Sequence, residues 1–408
     1  MGRVPAQNPS TASSLPASAA VHDAGRAAKT AAYYIGFVAL GLSGASLGPT
    51  LPGLAEHTGT TLSQISAVFA AGSFGYLLGS FASGRYYDRL PGHRLLAFGL
   101  ASMAALMVLV PVTSLLPVLA AVLLLRGAAE GLLDVGTNTL IVWLYREKVG
   151  PYMNGLHFFF GLGALLSPLV VAGLTQSSGD ITLAYWALAA LMIPPAVIVL
   201  RLASPAILAP ARRAEAQPDR VSRALTALIM VFFFLYVGSE VGYGGWVFTL
   251  ARSRGLDAGQ AAYVNSAFWG ALTLGRLLSI PLAARYSSRA ILSVDLAGAV
   301  LSASILLMWG ESQPALWIGT LGLGLSIASI FPTMLSYAGT RMAVTGRVTG
   351  LFVAASSAGA MAMPWLMGQL VEPVGAYAVV AGVLASLALS AAVFVVIDRS
   401  GAFPKRGK

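Results

Sequence analysis

Long apolar runs alternate with short polar segments along almost the whole chain. Each run is about as long as an α-helix needs to be to cross the hydrocarbon core of a bilayer, which is roughly 20 residues. The pattern therefore predicts an all-α membrane protein with twelve transmembrane helices, called spans 1 to 12 in chain order. The apolar runs lie near 31–54, 62–84, 93–113, 115–144, 152–174, 182–203, 223–250, 258–283, 290–309, 314–340, 347–371 and 375–397.

The two halves of this pattern resemble each other. The segment GSFASGRYYDR (79–89) aligns with GRLLSIPLAAR (275–285), with glycine on glycine and arginine on arginine at the two ends. GLHFFFGLGALLSP (155–168) aligns with GLFVAASSAGAMAMP (350–364) after one inserted residue. Both offsets are close to half the chain length, so the sequence predicts a duplicated six-helix unit. Two such bundles, related by an axis along the membrane normal, form a known transporter architecture.

The segments outside the apolar runs divide the chain into five parts. The Ala/Ser/Pro-rich stretch 1–30 has no apolar core and is predicted to be a disordered cytoplasmic tail. An N-terminal six-helix bundle is predicted at 31–203 and a C-terminal six-helix bundle at 223–397. The polar, basic stretch 204–222 is predicted to be a cytoplasmic linker, and 398–408 a second cytoplasmic tail.

The composition agrees with a membrane protein and excludes several functional classes. Hydrophobic residues make up 57% of the chain and charged residues only 10%, whereas soluble domains are about one-quarter charged. The absence of cysteine excludes disulfides, thiolate metal sites and a cysteine nucleophile. The sequence contains no HExxH zinc helix and no nucleotide-binding loop. We therefore expect a protein that is not an enzyme and that has no cofactor.

The formal net charge of +10 reflects how the chain is oriented in the membrane. With the N-terminus inside, 21 of the 25 Lys and Arg residues fall on the cytoplasmic side. Only Arg252 and Arg254 fall outside, while Arg126 and Arg276 lie within spans. This distribution follows the positive-inside rule, so both termini are predicted to be cytoplasmic and the protein to lie in the cell inner (plasma) membrane. The basic residues face anionic lipid, and no nucleic acid is expected as a partner.

A charged turn follows span 2. It reads GRYYDRLPGHR (84–94) and contains Gly84, Asp88, Arg89 and Arg94. This turn resembles the signature between spans 2 and 3 of the major facilitator superfamily, with one residue more than the usual spacing. The resemblance to the superfamily covers nearly all the chain from about residue 30. It implies a gating motif, in which the glycine lets helices approach and the Asp-Arg charges latch the inner ends of the two halves.

Motifs in four spans indicate a branch of that superfamily. Span 4 reads GLLDVGTNTL (131–140), span 5 LHFFFGLGALLSPL (156–169), span 7 YVGSEVGYGGWVFT (236–249) and span 8 NSAFWGALTLGR (265–276). Together they resemble the sodium-dependent glucose transporter-like branch, which is related to the fucose permeases. The resemblance implies a sugar symporter driven by Na+ or H+. Span 1 (33–52) lacks the acidic residue of the fucose permeases, so neither fucose nor their coupling chemistry is carried over to this chain.

Ionisable residues within spans are functional candidates, because each costs about 2.5–3.5 kcal/mol to insert at the centre of a membrane helix. In span 4, Arg126, Glu130, Asp134 and Asn138 recur every four residues and therefore form one stripe. We interpret this stripe as a polar track lining a cavity, with an Arg126–Glu130 ion pair. Arg126, Glu130 and Asp134 are candidate cation-coupling residues, with Asp134 also the candidate Na+ ligand. Asn138 is a candidate solute ligand. The alternative is a neutralised packing seam against a neighbouring helix.

The middle of span 7 carries a second set of candidates. Glu240 is followed by Tyr243 and Trp246, with three glycines between Glu240 and Trp246. These glycines are predicted to loosen the helix, and broken helices of this kind hold substrates and ions in transporters. We assign Glu240 to solute binding or cation coupling, Tyr243 to solute binding, and Trp246 to stacking on a sugar. The alternatives are a gating hinge for Glu240 and an interfacial position for Trp246.

Amide and aromatic residues also pair in two other spans. Asn265 and Trp269 share a face of span 8, and Trp365 and Gln369 share a face of span 11. An amide beside an aromatic ring suits a hydroxylated ligand, so all four are candidate substrate-binding residues; interhelical hydrogen bonding is the alternative. His157, near the cytoplasmic end of span 5, is a candidate proton relay in cation coupling.

Two further charges are assigned to the scaffold. Arg276 in span 8 and Asp295 in span 9 lie at similar depths from the inner ends of their spans. Similar depth predicts a structural ion pair between them.

Three functional hypotheses follow. The favoured one is secondary active transport of a sugar or similar small polar solute by alternating access, coupled to Na+ or H+. The second is proton-driven efflux of drugs or metabolites, faintly suggested by Gly161, Gly163 and Pro168 in span 5. The third is a membrane sensor that does not transport. The polar stripe of span 4 favours solute symport over a drug cavity. We expect a monomer whose partners are a small-molecule solute and the lipid bilayer.

Overall fold

The computed structural model describes residues 17–206, 223–342, 344 and 346–399, which form α-helices joined by short turns and loops. Eleven helical stretches are long and apolar enough to cross a membrane, and a bent pair of helices at the start makes a twelfth span. The predicted all-α architecture of twelve spans is confirmed. The spans are Ala17–Gly44 with Leu47–Thr58, Leu62–Tyr87, Gly92–Val112, Leu116–Tyr145, Gly150–Ser178, Thr182–Arg201, Arg223–Ser253, Ala258–Arg285, Ser288–Met308, Gln313–Arg341, Gly346–Val374 and Tyr377–Arg399.

The structure changes the predicted boundaries at both ends of the chain. The first helix begins at Ala17, so residues 17–30 are helical where the sequence predicts a disordered tail. This segment is rich in alanine, the residue with the highest helix propensity. Span 12 continues to Arg399, two residues into the predicted second tail. The parts of the predicted tails and linker at 1–16, 207–222 and 400–408 lie outside the described residues.

Two spans are interrupted near their middle. Span 1 bends by 44° between Gly44 and Leu47, and span 10 is interrupted between Ile327 and Ile330. Span 7, by contrast, is one helix over Arg223–Ser253, so the prediction that its glycines break it is wrong. Freed backbone groups are tolerated at membrane depth only where other partners satisfy them. The span 7 glycines instead leave room for side chains of neighbouring helices.

Glycines bring helices into close contact within each half. In the N-terminal half, Gly75 of span 2 faces the backbone of Leu124 in span 4, and a Cβ atom at position 75 would overlap that backbone. In the C-terminal half, Gly359 of span 11 faces the backbone of Phe234 in span 7 in the same way. Without a hydrophobic driving force between helices in lipid, such small residues let backbones approach and pack.

The helix bundle has two ends: one carries most of the described Lys and Arg residues and is called the basic end, and the opposite one is called the far end. The far end contains the turns after spans 1, 5, 7 and 11, each with a glycine at positive φ, namely Gly59, Gly179, Gly255 and Gly375. The basic end contains the start of span 1, the ends of spans 6 and 12, and the turns after spans 2, 4, 8 and 10. The basic residues described at this end are Arg26, Lys29, Arg85, Arg89, Arg94, Arg146, Lys148, Arg201, Arg223, Arg285, Arg289, Arg341 and Arg399.

The two halves contact each other at the far end and at mid-height. All the hydrogen bonds described between them join residues 63–73 of span 2 with residues 360–372 of span 11. At mid-height, Gly161 of span 5 faces the side chain of Thr273 in span 8. A cavity begins beneath the far-end contacts and extends toward the basic end.

Candidate functional site

The cavity between the two halves has a volume of about 430 Å³, within the range of roughly 300–1,000 Å³ that is usual for small-molecule sites. Spans 1, 2, 4 and 5 form one wall, and spans 7, 8, 10 and 11 form the other. Four of the predicted coupling residues, Arg126, Glu130, Asp134 and His157, meet here. The polar residues that line the cavity are Ser73, Tyr76, Arg126, Glu130, Asp134, His157, Trp269, Arg276, Ser356 and Ser357.

The predicted Arg126–Glu130 ion pair is confirmed. Arg126 Nε lies 3.3 Å from Glu130 Oε1, and the two side chains are only 5% and 12% exposed. Ser43 Oγ donates a hydrogen bond of 2.5 Å to the same glutamate oxygen, and Arg126 Nη1 donates to Ser46 Oγ at 3.5 Å. Both serines flank the bend in span 1. The bend therefore supplies the additional polar partners that a buried ion pair needs.

Asp134, one turn farther along span 4, has no cationic partner in the described part of the chain. Tyr76 Oη donates a hydrogen bond to Asp134 Oδ2, and Asn138 Nδ2 donates to Asp134 Oδ1 at 2.9 Å. Within the described ranges, Asp134 takes part in none of the ion pairs. A buried charge without a partner is costly, so this carboxylate on the cavity wall is suited to bind a cation from the cavity.

Glu240 pairs with Arg276 across spans 7 and 8. Arg276 Nη2 lies 3.4 Å from Glu240 Oε1, and Tyr236 Oη donates to Glu240 Oε2 at 2.5 Å. Arg276 lines the cavity, and Glu240 lies behind it. The predicted Arg276–Asp295 pair is therefore wrong, since Asp295 accepts a hydrogen bond from Ser329 at the interruption of span 10. Equal depth does not determine which faces of neighbouring helices meet.

Trp269 contributes an unused hydrogen-bond donor to the cavity wall. Its ring lies beside Gly244 and packs edge-on against Phe268, with ring centroids 5.2 Å apart. Its Nε1 atom is buried and has no acceptor among the described residues. Such an unsatisfied donor costs about 1–3 kcal/mol, and a rotation of the ring that exposed Nε1 to the cavity would let a ligand oxygen accept from it. His157 lies on the opposite wall, edge-on to Phe37 with ring centroids 6.0 Å apart.

The two aromatic candidates of span 7 lie in helix packing instead of the cavity. Tyr243 is fully buried, and its Oη is hydrogen-bonded to Thr320 Oγ1 at 2.6 Å. Trp246 is also fully buried, and its Nε1 donates to the carbonyl of Pro364 at 2.9 Å. These two hydrogen bonds hold the rings in the contacts of span 7 with spans 10 and 11. The rings therefore do not point toward a solute.

The two asparagine candidates support other groups of the site. Asn138 donates to Asp134 and does not line the cavity. Asn265 Nδ2 donates to the carbonyl of Gly244 at 3.2 Å, and the asparagine side chain is fully buried. Of the two residues predicted to share a face of span 8, the structure therefore places only Trp269 on the cavity wall.

The span 11 candidates lie at the far-end contact between the halves. Gln369 Nε2 donates to the Ser63 carbonyl at 2.9 Å and to Ser66 Oγ at 3.1 Å. The backbone carbonyl of Trp365 accepts from Ser66 Oγ at 3.4 Å, and the tryptophan residue is 40% exposed. In this conformation these residues close the far end and do not reach the cavity lining.

The predicted gating motif lies in the turn at the basic end. Asp88, Arg89 and Arg94 are exposed and, in the part of the chain that is described, form no ion pair. No atom lies within 4 Å of the Cβ position at Gly84, so the close helix approach predicted there is not made. The hydrogen bonds described between the halves lie at the far end and, through Ser73 and Ala360, near mid-height, so none of those described closes the basic end.

Four hydroxyl residues that bind the charged groups of the site are absent from the sequence-based predictions: Tyr76, Tyr236 and Ser43 donate to carboxylates, and Ser46 accepts from Arg126. Tyr76 binds Asp134 from another helix, and no local signal indicates it. Tyr236 lies four residues before Glu240 and therefore shares its helix face, a spacing that could have identified it. Ser43 and Ser46 lie in the Gly- and Ser-rich stretch at the bend of span 1, and this composition could have indicated a helix break.

Comparisons with known proteins agree with this architecture. A family model described as Major Facilitator Superfamily matches residues 33–364. Sodium-dependent glucose transporter 1A of Mus musculus is 31% identical over 374 residues, which cover 83% of this chain and 88% of the mouse protein. Sodium-dependent glucose transporter 1 of Homo sapiens is 30% identical over 371 residues, which cover 82% of this chain and 72% of the human protein.

A solved structure shares the fold. A variant of the nucleoside transporter NupG superposes on this chain with a TM-score of 0.74 at 14% sequence identity. The superposition covers 91% of this chain and 99% of that chain. At this identity the likeness shows the fold alone, and it confirms the predicted arrangement of the helices.

Proposed function

The chain belongs to the Major Facilitator Superfamily, and from that membership we propose that its central cavity carries a sugar or similar small polar solute, coupled to Na+ or H+. Membership makes the chain a multi-pass secondary transporter that works by alternating access. The two relatives named as sodium-dependent glucose transporters support both the solute class and the coupling to a cation.

The observation that carries the proposal is the carboxylate of Asp134. The other charges of the cavity compensate one another, because Arg126 pairs with Glu130 and Arg276 pairs with Glu240. Asp134 remains as one net negative charge with oxygen and amide groups beside it. A proton or a Na+ ion held there neutralises the site, and its release restores the charge. Oxygen ligands suit a hard cation such as Na+, so a gradient of that cation can drive solute binding and release.

The remaining lining suits a neutral, hydroxylated solute. With a cation at Asp134 the cavity is balanced, and a charged solute would leave a new charge uncompensated. Aromatic rings, such as those of Phe160 and Trp269, can pack on the apolar face of a sugar. The hydroxyl of Ser357 is available to sugar oxygens, and the hydroxyl of Ser356, which donates to the Phe352 carbonyl, can accept from them. A rotation of the Trp269 ring would expose its unused N–H to the solute as well.

The proposal includes an orientation in the plasma membrane. We place the basic end in the cytoplasm because Lys and Arg concentrate on cytoplasmic turns, which makes both termini cytoplasmic. The described conformation is then inward-facing. Since one chain lines the whole cavity, a monomer is sufficient for transport.

The proposal is tested by reconstituting the protein in liposomes and following labelled glucose under a Na+ gradient, a pH gradient and no gradient. We expect one gradient to concentrate glucose above its equilibrium level, and its dissipation to abolish that accumulation. Unlabelled sugars, polyols and nucleosides, added as competitors, then rank the solutes. Uptake that responds to neither gradient would contradict cation coupling, and export of a labelled drug driven by protons would favour the antiport hypothesis.

A further inference from the structure

A second cavity, of about 640 Å³, lies at the basic end of the N-terminal half. It is bounded by the start of span 1, the end of span 4 with the turn that follows, and two residues after span 6. We call it the basic pocket. Four cationic side chains line it: Arg26, Lys29, Arg146 and Lys148.

The positive charge of the basic pocket is not neutralised by the described chain. None of the four cations forms an ion pair within the described ranges. The acidic residues whose side chains the structure describes are likewise not part of the pocket wall. Four like charges around one cavity repel one another, so an anion inside it would be held by charge-assisted hydrogen bonds from several sides.

Specific contacts hold the walls of the basic pocket together. Thr30 Oγ1 is hydrogen-bonded to Tyr145 Oη at 2.7 Å, which attaches the start of span 1 to the end of span 4. The Tyr145 ring stacks on Tyr152, with ring centroids 3.4 Å apart and planes 10° apart. Arg146 has φ of 50° and is the one non-glycine residue with positive φ in the described ranges. Backbone strain of this kind concentrates at functional sites.

The C-terminal half shows how the fold neutralises arginines at the same end. Asp398, at the end of span 12, lies 2.7 Å from Arg289 Nη2 and 3.3 Å from Arg341 Nη2. Tyr337 Oη donates a further hydrogen bond of 2.9 Å to the same carboxylate. One aspartate therefore compensates two arginines from spans 9 and 10.

The internal repeat identifies what the N-terminal half lacks. Gly79 and Gly275 are separated by 196 residues, and the same offset places Leu202 at the position of Asp398. Arg146 ends span 4 as Arg341 ends span 10. The N-terminal half thus retains the arginine at the end of its fourth span but has leucine in place of the aspartate. Among the described residues, the N-terminal half therefore has no counterpart of the Asp398 carboxylate at this end.

We propose that the basic pocket binds a phosphate group, carried either by an anionic phospholipid headgroup or by a free phosphate in solution. Arginine forks match phosphate oxygens in pairs, and lysine adds a point charge. The pocket lies where span 4 ends, beside Trp143 and Tyr145, residue types that are enriched at the membrane interface. Anionic lipids concentrate on the side of the membrane that faces such basic segments. The volume exceeds that of a bare phosphate and has room for a headgroup.

The test compares a pocket variant with a matched control in purified, delipidated full-length protein. Arg26→Gln combined with Arg146→Gln removes two charges from the basic pocket. Arg285→Gln combined with Arg399→Gln removes two exposed arginines from the other half at the same end. Binding is measured by native mass spectrometry and by thermal shift, with phosphatidylglycerol, phosphatidylcholine and inorganic phosphate as separate probes and chloride at matched ionic strength.

We expect phosphatidylglycerol to bind the parent and the control alike, and the pocket variant about thirtyfold more weakly, since each of the two arginines removed contributes about 1 kcal/mol near such a headgroup. Inorganic phosphate that competes with the lipid, or that alone stabilises the parent and not the pocket variant, would assign the site to soluble phosphate. Equal binding of phosphatidylglycerol and phosphate to all three proteins would overturn the proposal. An equal loss in the pocket and control variants would also overturn it, because net charge and not the pocket would then be responsible.

Discussion

The two walls of the central cavity differ in how their buried charges are compensated. On the N-terminal wall, span 4 presents the Arg126–Glu130 pair and, one turn away, the uncompensated carboxylate of Asp134. On the C-terminal wall, the carboxylate of Glu240 is withdrawn behind its arginine, and the unused group is the indole N–H of Trp269. One wall therefore offers a site for positive charge, and the other offers a donor to a neutral oxygen. We infer that the cation binds mainly to the N-terminal wall and the solute mainly to the C-terminal wall.

The largest effect is expected for Asp134→Asn. The amide keeps the size of the side chain and can still accept from Tyr76, but the charge that holds the cation is gone. Gradient-driven accumulation of glucose in liposomes should fall about tenfold or more, because coupling free energies are typically about 1–3 kcal/mol. Exchange of solute down its own gradient should persist. Glu56→Gln removes an exposed carboxylate at the far end and should accumulate glucose like the parent; equal accumulation by Asp134→Asn would place coupling elsewhere.

The next effect concerns stability. Arg126→Met leaves Glu130 buried without its cation, and breaking a buried pair in this way costs about 3–5 kcal/mol. The free energy of unfolding, measured by detergent titration, should fall by that amount. The double variant Arg126→Met with Glu130→Gln should recover most of the loss, because no unpaired charge remains. A double variant as unstable as the single one would show that packing, and not charge, is responsible.

The equivalent change on the other wall should be smaller. The Arg276 side chain is 31% exposed, against 5% for Arg126, so water and salt screen the charge that Arg276→Met leaves on Glu240. We expect a loss of about 1–2 kcal/mol in the same detergent titration, and greater sensitivity to salt than for Arg126→Met. A loss as large as that of Arg126→Met would remove the difference between the two walls.

The smallest effect is expected for Trp269→Phe, which keeps a smaller aromatic ring and removes the unused N–H donor. The KM for glucose should rise about fivefold, in keeping with a net contribution of about 1 kcal/mol from one hydrogen bond. The dependence of transport on the cation should not change. Trp309→Phe, at an exposed tryptophan, is the matched control and should leave the KM unaltered. A shift in cation dependence for Trp269→Phe would contradict the division of roles between the walls.

The architecture could be predicted from the sequence because insertion into lipid acts on each helix by its own length and apolarity. The Arg126–Glu130 pair could also be predicted, since residues four apart on one helix are neighbours whatever surrounds them. The Glu240–Arg276 pair could not, because its partners lie on different helices. Which of the two carboxylates, Glu240 or Asp295, Arg276 meets depends on how spans 7, 8 and 9 are rotated about their axes, and periodicity within one helix does not fix that rotation.

The same limit explains the misplaced aromatic residues. The spacing of Tyr243 and Trp246 fixes the angle between them but not the direction in which either points. The glycines between Glu240 and Trp246 are compatible with a broken helix or with close packing. The structure shows close packing, in which Gly244 faces Trp269 and Gly245 faces the Phe69 ring. Spans 1 and 10, where the interruptions occur, carry serines at those points that the sequence analysis did not weigh.

The mid-height contact between spans 5 and 8 is a pivot about which the two halves can rotate relative to each other. Gly161 and Thr273 act as the fulcrum, with the far-end hydrogen bonds on one side and the open basic end on the other. At 1.5 Å per residue, each arm is roughly 20 Å long, so a turn of about 10° moves either end by about 3 Å, which is enough to break a hydrogen bond. A side chain at position 161 would overlap Thr273 and push spans 5 and 8 apart. Neither end of the bundle could then close fully. The smallest residue of span 5 thereby sets how far both gates can travel.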